Sequence, residues 1–166
     1  GLLTARDAGY EFSESIVARG TSFLASQVKR IKQIQTGAYV GYALAKAGKS
    51  DGELLARVYR ARDDLGIFGK ALLASAYKSA GDAGRAATIV QNLDDFVSED
   101  QQWGTVHWNA DGPGWRWWSS PIEANAAVLN ALLDVDPEHR YAAPLVKWLV
   151  RNRQGNRWSN TRDTAQ

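Results

Sequence analysis

The stretch Ile67-Phe68-Gly69-Lys70-Ala71-Leu72-Leu73-Ala74-Ser75-Ala76-Tyr77-Lys78-Ser79-Ala80-Gly81 decides the fold. Read as a helix from about Ile67 to Ala80, it is apolar nearly all round, through Ile67, Phe68, Ala71, Leu72, Leu73, Ala74, Ala76 and Tyr77. Gly81 supplies the residue that closes it. A helix without a polar face must be covered by neighbours on most sides. The segments on either side read differently. Before it, about Asp51 to Asp64 forms a helix with Leu54, Leu55, Val58 and Tyr59 on one side and Arg57, Arg60 and Arg62 elsewhere. Ser50 and Glu53 have capping-box spacing at its start. After it, about Asp82 to Val97 carries one stripe of Ala86, Ile89, Val90, Leu93, Phe96 and Val97.

The alternation extends outward. Ser13 to Lys32 is amphipathic, with Ile16, Val17, Gly20, Phe23, Leu24, Val28 and Ile31 at helical spacing. About Thr36 to Ala47 again has little polar surface (Ala38, Tyr39, Val40, Tyr42, Ala43, Leu44, Ala45), and Gly48 stops it. Ser120-Pro121-Ile122-Glu123 opens a sixth helix with a capping Ser, Pro at the first helical position and Glu at the third. That helix is apolar on most faces up to Leu133, and Asp136-Pro137 ends it. A seventh, with Pro144 in its first turn, has a stripe of Leu145, Val146, Trp148, Leu149 and Val150. A turn around Gly155 follows, and Asn160 and Asp163 are spaced to cap an eighth helix.

Odd-numbered helices are therefore amphipathic, while the second, fourth and sixth are apolar nearly all round. Stacked helical hairpins, each giving one inner and one outer helix, satisfy this pattern. The closed form is an α/α-toroid and the open form a solenoid. Gly48 and Gly81 close similar endings, Ala-Leu-Ala-Lys-Ala-Gly and Ala-Tyr-Lys-Ser-Ala-Gly, 33 residues apart. That repetition is near the tetratricopeptide period, but the Trp/Leu-Gly/Tyr framework of that repeat is absent. Ser98 to Ser119 interrupts the helices. It holds Trp103, Trp108, Trp115, Trp117 and Trp118 around an Asn109-Ala110-Asp111-Gly112-Pro113-Gly114 turn, and reads as a β-hairpin or long ordered loop over 99–118.

Composition bounds the function. The 166 residues make one domain, 1–166, with 45% apolar and 23% charged residues. Twenty basic residues against 18 acidic ones leave a net charge of +2, too even for an electrostatic nucleic-acid binder. No apolar run is long enough to span a membrane. Without Cys there is no disulfide, thiol nucleophile or thiolate metal site. There is no Met, and Gly stands at position 1, so the residues are expected to come from a longer protein.

Two segments go beyond pattern: Gly41-Tyr42-Ala43-Leu44-Ala45-Lys46-Ala47-Gly48-Lys49, and Leu145-Val146-Lys147-Trp148-Leu149-Val150-Arg151-Asn152-Arg153-Gln154-Gly155-Asn156-Arg157-Trp158-Ser159-Asn160-Thr161-Arg162-Asp163-Thr164-Ala165-Gln166. The second resembles the V-x-W-L…Q-x-x-G-x-[WFY]-x-S-T-Q-D-T segment of α2-macroglobulin and complement thioester domains. Ile122 to Leu133 resembles the inner helix before it, and Asp7-Ala8-Gly9-Tyr10 fits the bacterial members. Asn160-Thr161-Arg162 departs from the usual Ser-Thr-Gln, a mild change because Asn also caps. The Trp-rich insertion is a second departure.

The resemblance implies a later part of an α/α-toroid in a bacterial α2-macroglobulin-like endopeptidase inhibitor. Such proteins trap proteases after bait cleavage, and a Cys–Gln thioester in a C-x-E-Q motif tethers the target when a nucleophile attacks its acyl carbon. The motif lies near the start of the toroid. This chain has no Cys, so any thioester would lie upstream, or the parent is a paralogue without one. The implied role of these residues is to complete a ring that shields the thioester from water. The implied location is the periplasm, with possible anchorage of the parent to the inner membrane. The implied partners are target proteases and other domains of the parent, with no nucleic acid. No cofactor, metal or catalytic residue is expected.

Local chemistry is read against this. The tryptophans could stack on sugar or peptide, but large aromatics are costly to expose and serve more readily to fix the hairpin to the helices. His107 and His139 are too few and too far apart in sequence for a metal site. Asp63-Asp64 and Asp94-Asp95 are simple pairs without the third carboxylate a terpenoid cyclase needs, and read as solvated. A zinc prenyltransferase would need a Cys. Gln154 to Trp158 resembles the Gln/Trp repeats of triterpene cyclases only as a turn between helices. Glu123 and Asp163 stand where helix starts favour acids, not as a glycosidase pair. Lys29-Arg30-Lys32 complements a helix C-terminus. A protein-binding helical-repeat scaffold and a toroid enzyme of the glycosidase or cyclase type stay open as alternatives. A partial ring would expose apolar surface at its edges, so the isolated chain is expected to self-associate.

Overall fold

The computed structural model describes residues 8–11, 13–110 and 120–153. Among them are seven α-helices and one two-stranded antiparallel sheet. In chain order these are α1 (Glu14–Gln27), α2 (Ile34–Lys46), α3 (Gly52–Arg60), α4 (Ile67–Ser79), α5 (Ala83–Asp94), β1 (Val97–Asp100), β2 (Thr105–Trp108), α6 (Pro121–Val135) and α7 (Ala142–Arg151). Short 3-10 turns, Val28–Arg30 and Arg62–Asp64, follow α1 and α3. The eighth helix and its caps Asn160 and Asp163, the turn from Gln154 to Trp158, and Asp7, Trp115, Trp117 and Trp118 lie outside the described residues.

The all-helical reading with one hairpin-like excursion holds at this level. α4 packs between α2 and α6, so the three apolar helices lie side by side. The amphipathic helices lie against them: α1 on α2, α3 between α2 and α4, α5 between α4 and α6, and α7 on α6 and β2. Burial follows this order. In α4 every residue from Gly69 to Tyr77 is buried, whereas α1 contains no buried residue. The core runs through Leu44, Leu54, Val58, Leu73, Ala74, Ile89, Leu93, Val128, Leu132 and Leu145. Gly37 and Gly41 let α3 approach α2 closely, because a Cβ at Gly41 would lie 2.9 Å from Leu55 Cδ2 and one at Gly37 3.0 Å from Val58 Cγ2.

The two repeated endings share one geometry. Gly48 (φ 69°) and Gly81 (φ 87°) both take the left-handed conformation. The N–H after each donates back across the turn, Lys49 to the Leu44 carbonyl at 2.8 Å and Asp82 to the Tyr77 carbonyl at 2.9 Å. Both are Schellman closures, which satisfy carbonyls the helix leaves open. Ser120 caps α6 as its sequence indicates, accepting the Glu123 N–H at 3.0 Å with Pro121 opening the helix.

The start of α3 differs from expectation. The cap is Asp51, not Ser50: its carboxylate accepts the Leu54 N–H at 2.8 Å. A carboxylate at the N-cap both satisfies an orphan donor and faces the positive end of the helix dipole. Asp51→Ala is expected to destabilise the chain by about 1 kcal/mol in a urea titration and Ser50→Ala to change nothing measurable. Equal effects at the two positions would restore Ser50 as the cap.

Three further details depart from the sequence reading. Ile16 and Phe23 on α1 are 45% and 64% exposed; among the described helices its main contact is with α2, and Leu24, Val28 and Ile31 carry its packing. On α7 only part of the apolar stripe is buried: Leu145 is enclosed, and Trp148 and Leu149 are half-buried, but Val146 and Val150 face out. Asp111–Gly114 of the expected Asn109–Gly114 turn lie outside the described residues; within them the hairpin turn is Gln101–Gly104. Val97 pairs with Trp108 and Asp100 with Thr105 across it. The composition of Asn109–Gly114 is the stronger turn signal. Gly104, at φ 59°, nevertheless supplies the left-handed residue a four-residue loop needs, and Asp100 Oδ1 accepts the Trp103 N–H at 3.3 Å. Val97 accordingly begins the strand rather than ending α5.

Candidate functional site

The most specific constellation of side chains lies where the hairpin meets α5, α6 and α7. β2 is buried on Thr105, Val106 and Trp108. Trp108 is fully enclosed, its indole Nε1–H donating to the Leu93 carbonyl near the end of α5 at 2.7 Å. Its ring meets Tyr141 edge-on, with centroids 6.0 Å apart. Asn125, fully buried in α6, accepts the Trp108 N–H through Oδ1 at 2.8 Å. Its Nδ2 donates to the carbonyls of Trp108 and Pro121, both at 2.9 Å. One side chain thus satisfies both backbone groups at the end of β2 and adds a bond to a first-turn carbonyl of its own helix.

A second layer ties the connection between α6 and α7 to the same place. The Tyr141 hydroxyl donates to Glu99 Oε1 at 2.8 Å, and this hydrogen bond, followed by burial, raises the Tyr141 pKa above its ordinary value. His139 Nε2 lies 3.5 Å from Asp94 Oδ1, and Arg140 Nη2 3.4 Å from Asp94 Oδ2. Asp94 is therefore not one of a solvated pair, as its neighbour Asp95 and the pair Asp63-Asp64 are; it is half-buried between a histidine and an arginine. His107 stacks on Trp148 with rings 5.1 Å apart. Trp103 stands 54% exposed at the hairpin tip with the Arg151 guanidinium 3.8 Å from its ring centroid.

What this arrangement can do chemically is hold structure. Trp108 acts as the anchor of the hairpin, and Tyr141 and Trp148 extend the contact. No three His, Asp or Glu side chains converge on a metal-binding geometry among the described residues. Asp94 and His139 are joined to Arg140 and Tyr141, and among the described residues no nucleophile is hydrogen-bonded to the pair. Glu123 is buried at the start of α6, where the unpaired N–H groups favour an acid. Lys29 and Arg30 are exposed in the 3-10 turn that ends α1.

Four buried polar residues, Lys70, Ser75, Thr105 and Asn125, were not singled out by the sequence, and two of them tie other segments to their helix. Asn125 is one; the signal was an amide inside the apolar run Ile122 to Leu133. Lys70 is the other. It is buried in the first turn of α4 and its ammonium donates to the carbonyls of Leu65 at 2.7 Å and Arg62 at 2.8 Å, closing the 3-10 turn after α3. Burial lowers the Lys70 pKa. The unfolded chain then holds this proton at pH values where the folded chain has lost it, so the Lys70 contribution to stability rises with pH as it passes the folded pKa. Tyr42 and Tyr77, raised by burial, act in the opposite sense above about pH 10. Comparison with Lys70→Met isolates the lysine. The parent is expected to gain on this variant in urea titrations as the pH is raised toward about 10, where the unfolded lysine titrates, and a constant difference would contradict the assignment.

The fold and this site together define a mostly helical, two-layered chain with one tryptophan-anchored hairpin. No family model and no curated protein matches the chain.

Proposed function

We propose that the chain is a structural segment of the α/α-toroid of a bacterial, periplasmic α2-macroglobulin-like endopeptidase inhibitor. It helps enclose a thioester carried elsewhere in the parent chain, where the parent has one. The observation that carries this reading is the enclosure of α4 between α2 and α6 with α3 and α5 outside. Continued in both directions, such an arc is a double-layered ring. The resemblance of residues 145–166 to the macroglobulin segment gives the reading its family, and the absence of Cys keeps the acyl chemistry out of this chain. Its partners are then the remaining domains of the parent directly, and target proteases through the trap.

The test is the full reading frame and its product. The frame is expected to encode a much longer protein, and the purified product to block cleavage of protein substrates by several unrelated endopeptidases. A Cys-x-Glu-Gln upstream would predict covalent, amine-sensitive capture. A product without effect on any endopeptidase would remove the reading. The shared closures at Gly48 and Gly81 also favour a second reading, a helical-repeat scaffold that binds peptides.

A further inference from the structure

We propose that the outward face of α7, with Trp103 at the hairpin tip, docks an acidic, apolar peptide segment of a partner polypeptide. Ala143, Val146, Lys147, Val150 and Arg151 are all exposed and recur at helical spacing, so they share a face opposite the buried Ala142 and Leu145. Val146 and Val150 are 44% and 62% exposed one turn apart, and Trp103 adds a half-exposed indole against Arg151. The helix thus has a second apolar edge that the fold does not use.

Charge selects the occupant. Lys147 and Arg151 give this face one sign. Two acids of the adjoining hairpin accept hydrogen bonds, Glu99 from the Tyr141 hydroxyl and Asp100 from the Trp103 N–H. A guanidinium stacked on an indole keeps its in-plane N–H groups for a carboxylate. Two aliphatic side chains one turn apart, beside two cations and an aromatic shelf, match a helix or strand bearing aliphatic residues flanked by Asp or Glu. The chain's own neighbouring segments lack that composition. Residues 154–166 hold Arg157 and Arg162 against Asp163, and residues 111–119 hold Arg116 against Asp111. Self-docking against α1 is disfavoured by the same logic, since Lys29, Arg30 and Lys32 at the end of that edge repeat the basic charge. The proposal does not rest on the macroglobulin reading.

The probe is a random dodecapeptide phage library panned on the whole chain. The selected consensus is expected to pair two aliphatic residues with at least two Asp or Glu. As a synthetic peptide it should shift amide resonances of α7 and the Trp103 indole. Its binding should weaken with salt, and by at least about tenfold in the Lys147→Glu/Arg151→Glu variant. Val150→Asp, a single exposed change, should weaken it comparably and provides a second reading if the double variant misfolds. Failure to enrich any sequence, a basic or uncharged consensus, a shift map elsewhere, or undiminished binding to both variants would overturn the proposal. Charge-dependent binding of phosphatidylserine vesicles through this face, without peptide binding, would overturn it in favour of a membrane.

Discussion

Trp108→Ala is expected to destabilise the chain by about 3–5 kcal/mol, the scale for removing a large buried aromatic from a packed site. The indole is wholly enclosed, and its loss leaves a cavity bounded by Tyr141 and α6 and removes one of the hydrogen bonds to the Leu93 carbonyl, which keeps the Phe96 N–H at 3.0 Å. The hairpin is too short to persist without its anchor, since an isolated two-stranded ribbon is marginal in water. Loss of the hairpin also removes the support that β2 gives α7. Trp108→Phe keeps most of the packing but forfeits the 2.7 Å bond to Leu93, so about 1–2 kcal/mol is expected for it. Urea unfolding of both variants checks the ordering. A cost under about 1 kcal/mol for the alanine variant would mean that the hairpin is not held through this residue.

Asn125→Ala is expected to cost about 3 kcal/mol although it removes only a small polar side chain. The amide is the hydrogen-bond partner of the Trp108 N–H and of the Trp108 and Pro121 carbonyls, and its position is inaccessible to water. Truncation therefore orphans buried backbone groups, each worth about 1–3 kcal/mol when left unsatisfied. Asn130→Ala, on the exposed side of the same helix, should fall within about 0.5 kcal/mol of the parent. Because Asn125 and Trp108 act on one contact, the double variant should cost clearly less than the sum of the two single changes. Additive effects would separate Asn125 from the anchoring of the hairpin.

The parts of the fold legible in the sequence were those set by periodicity. The apolar run from Ile67 to Tyr77 could only be satisfied by enclosure, and α4 is the enclosed helix. Gly48 and Gly81 were readable because few other residues take a positive φ at a helix end. What periodicity could not rank were competing local signals. Ser50 and Asp51 are both good caps, and only the backbone decides which side chain reaches the Leu54 N–H. Gln101-Gln102-Trp103-Gly104 carries little turn composition apart from Gly104, and only the register of Trp108 opposite Val97 fixes where that loop falls. The exposure of Phe23 and Val150 follows from the number of neighbours a helix has, a tertiary quantity that one stripe does not report. Asn125 and Lys70 stood out only as polar residues in apolar runs. Their roles depend on carbonyls brought close by other segments, so no spacing rule could have supplied them.

A chain without cysteine permits a direct measurement of the layer order. Single cysteines placed as Ala38→Cys, Ala74→Cys and Ala124→Cys sit on α2, α4 and α6 at positions with no exposed surface. Ala56→Cys, Ala87→Cys and Ala143→Cys sit on α3, α5 and α7 at exposed positions. Thiol-labelling rates under native conditions are expected to be at least about a hundredfold slower for the first three than for the second three, because buried thiols react only through opening of the structure. Equal rates, or faster labelling on α2, α4 and α6, would contradict an enclosed layer of alternate helices and remove the basis for reading the chain as part of a double-layered ring.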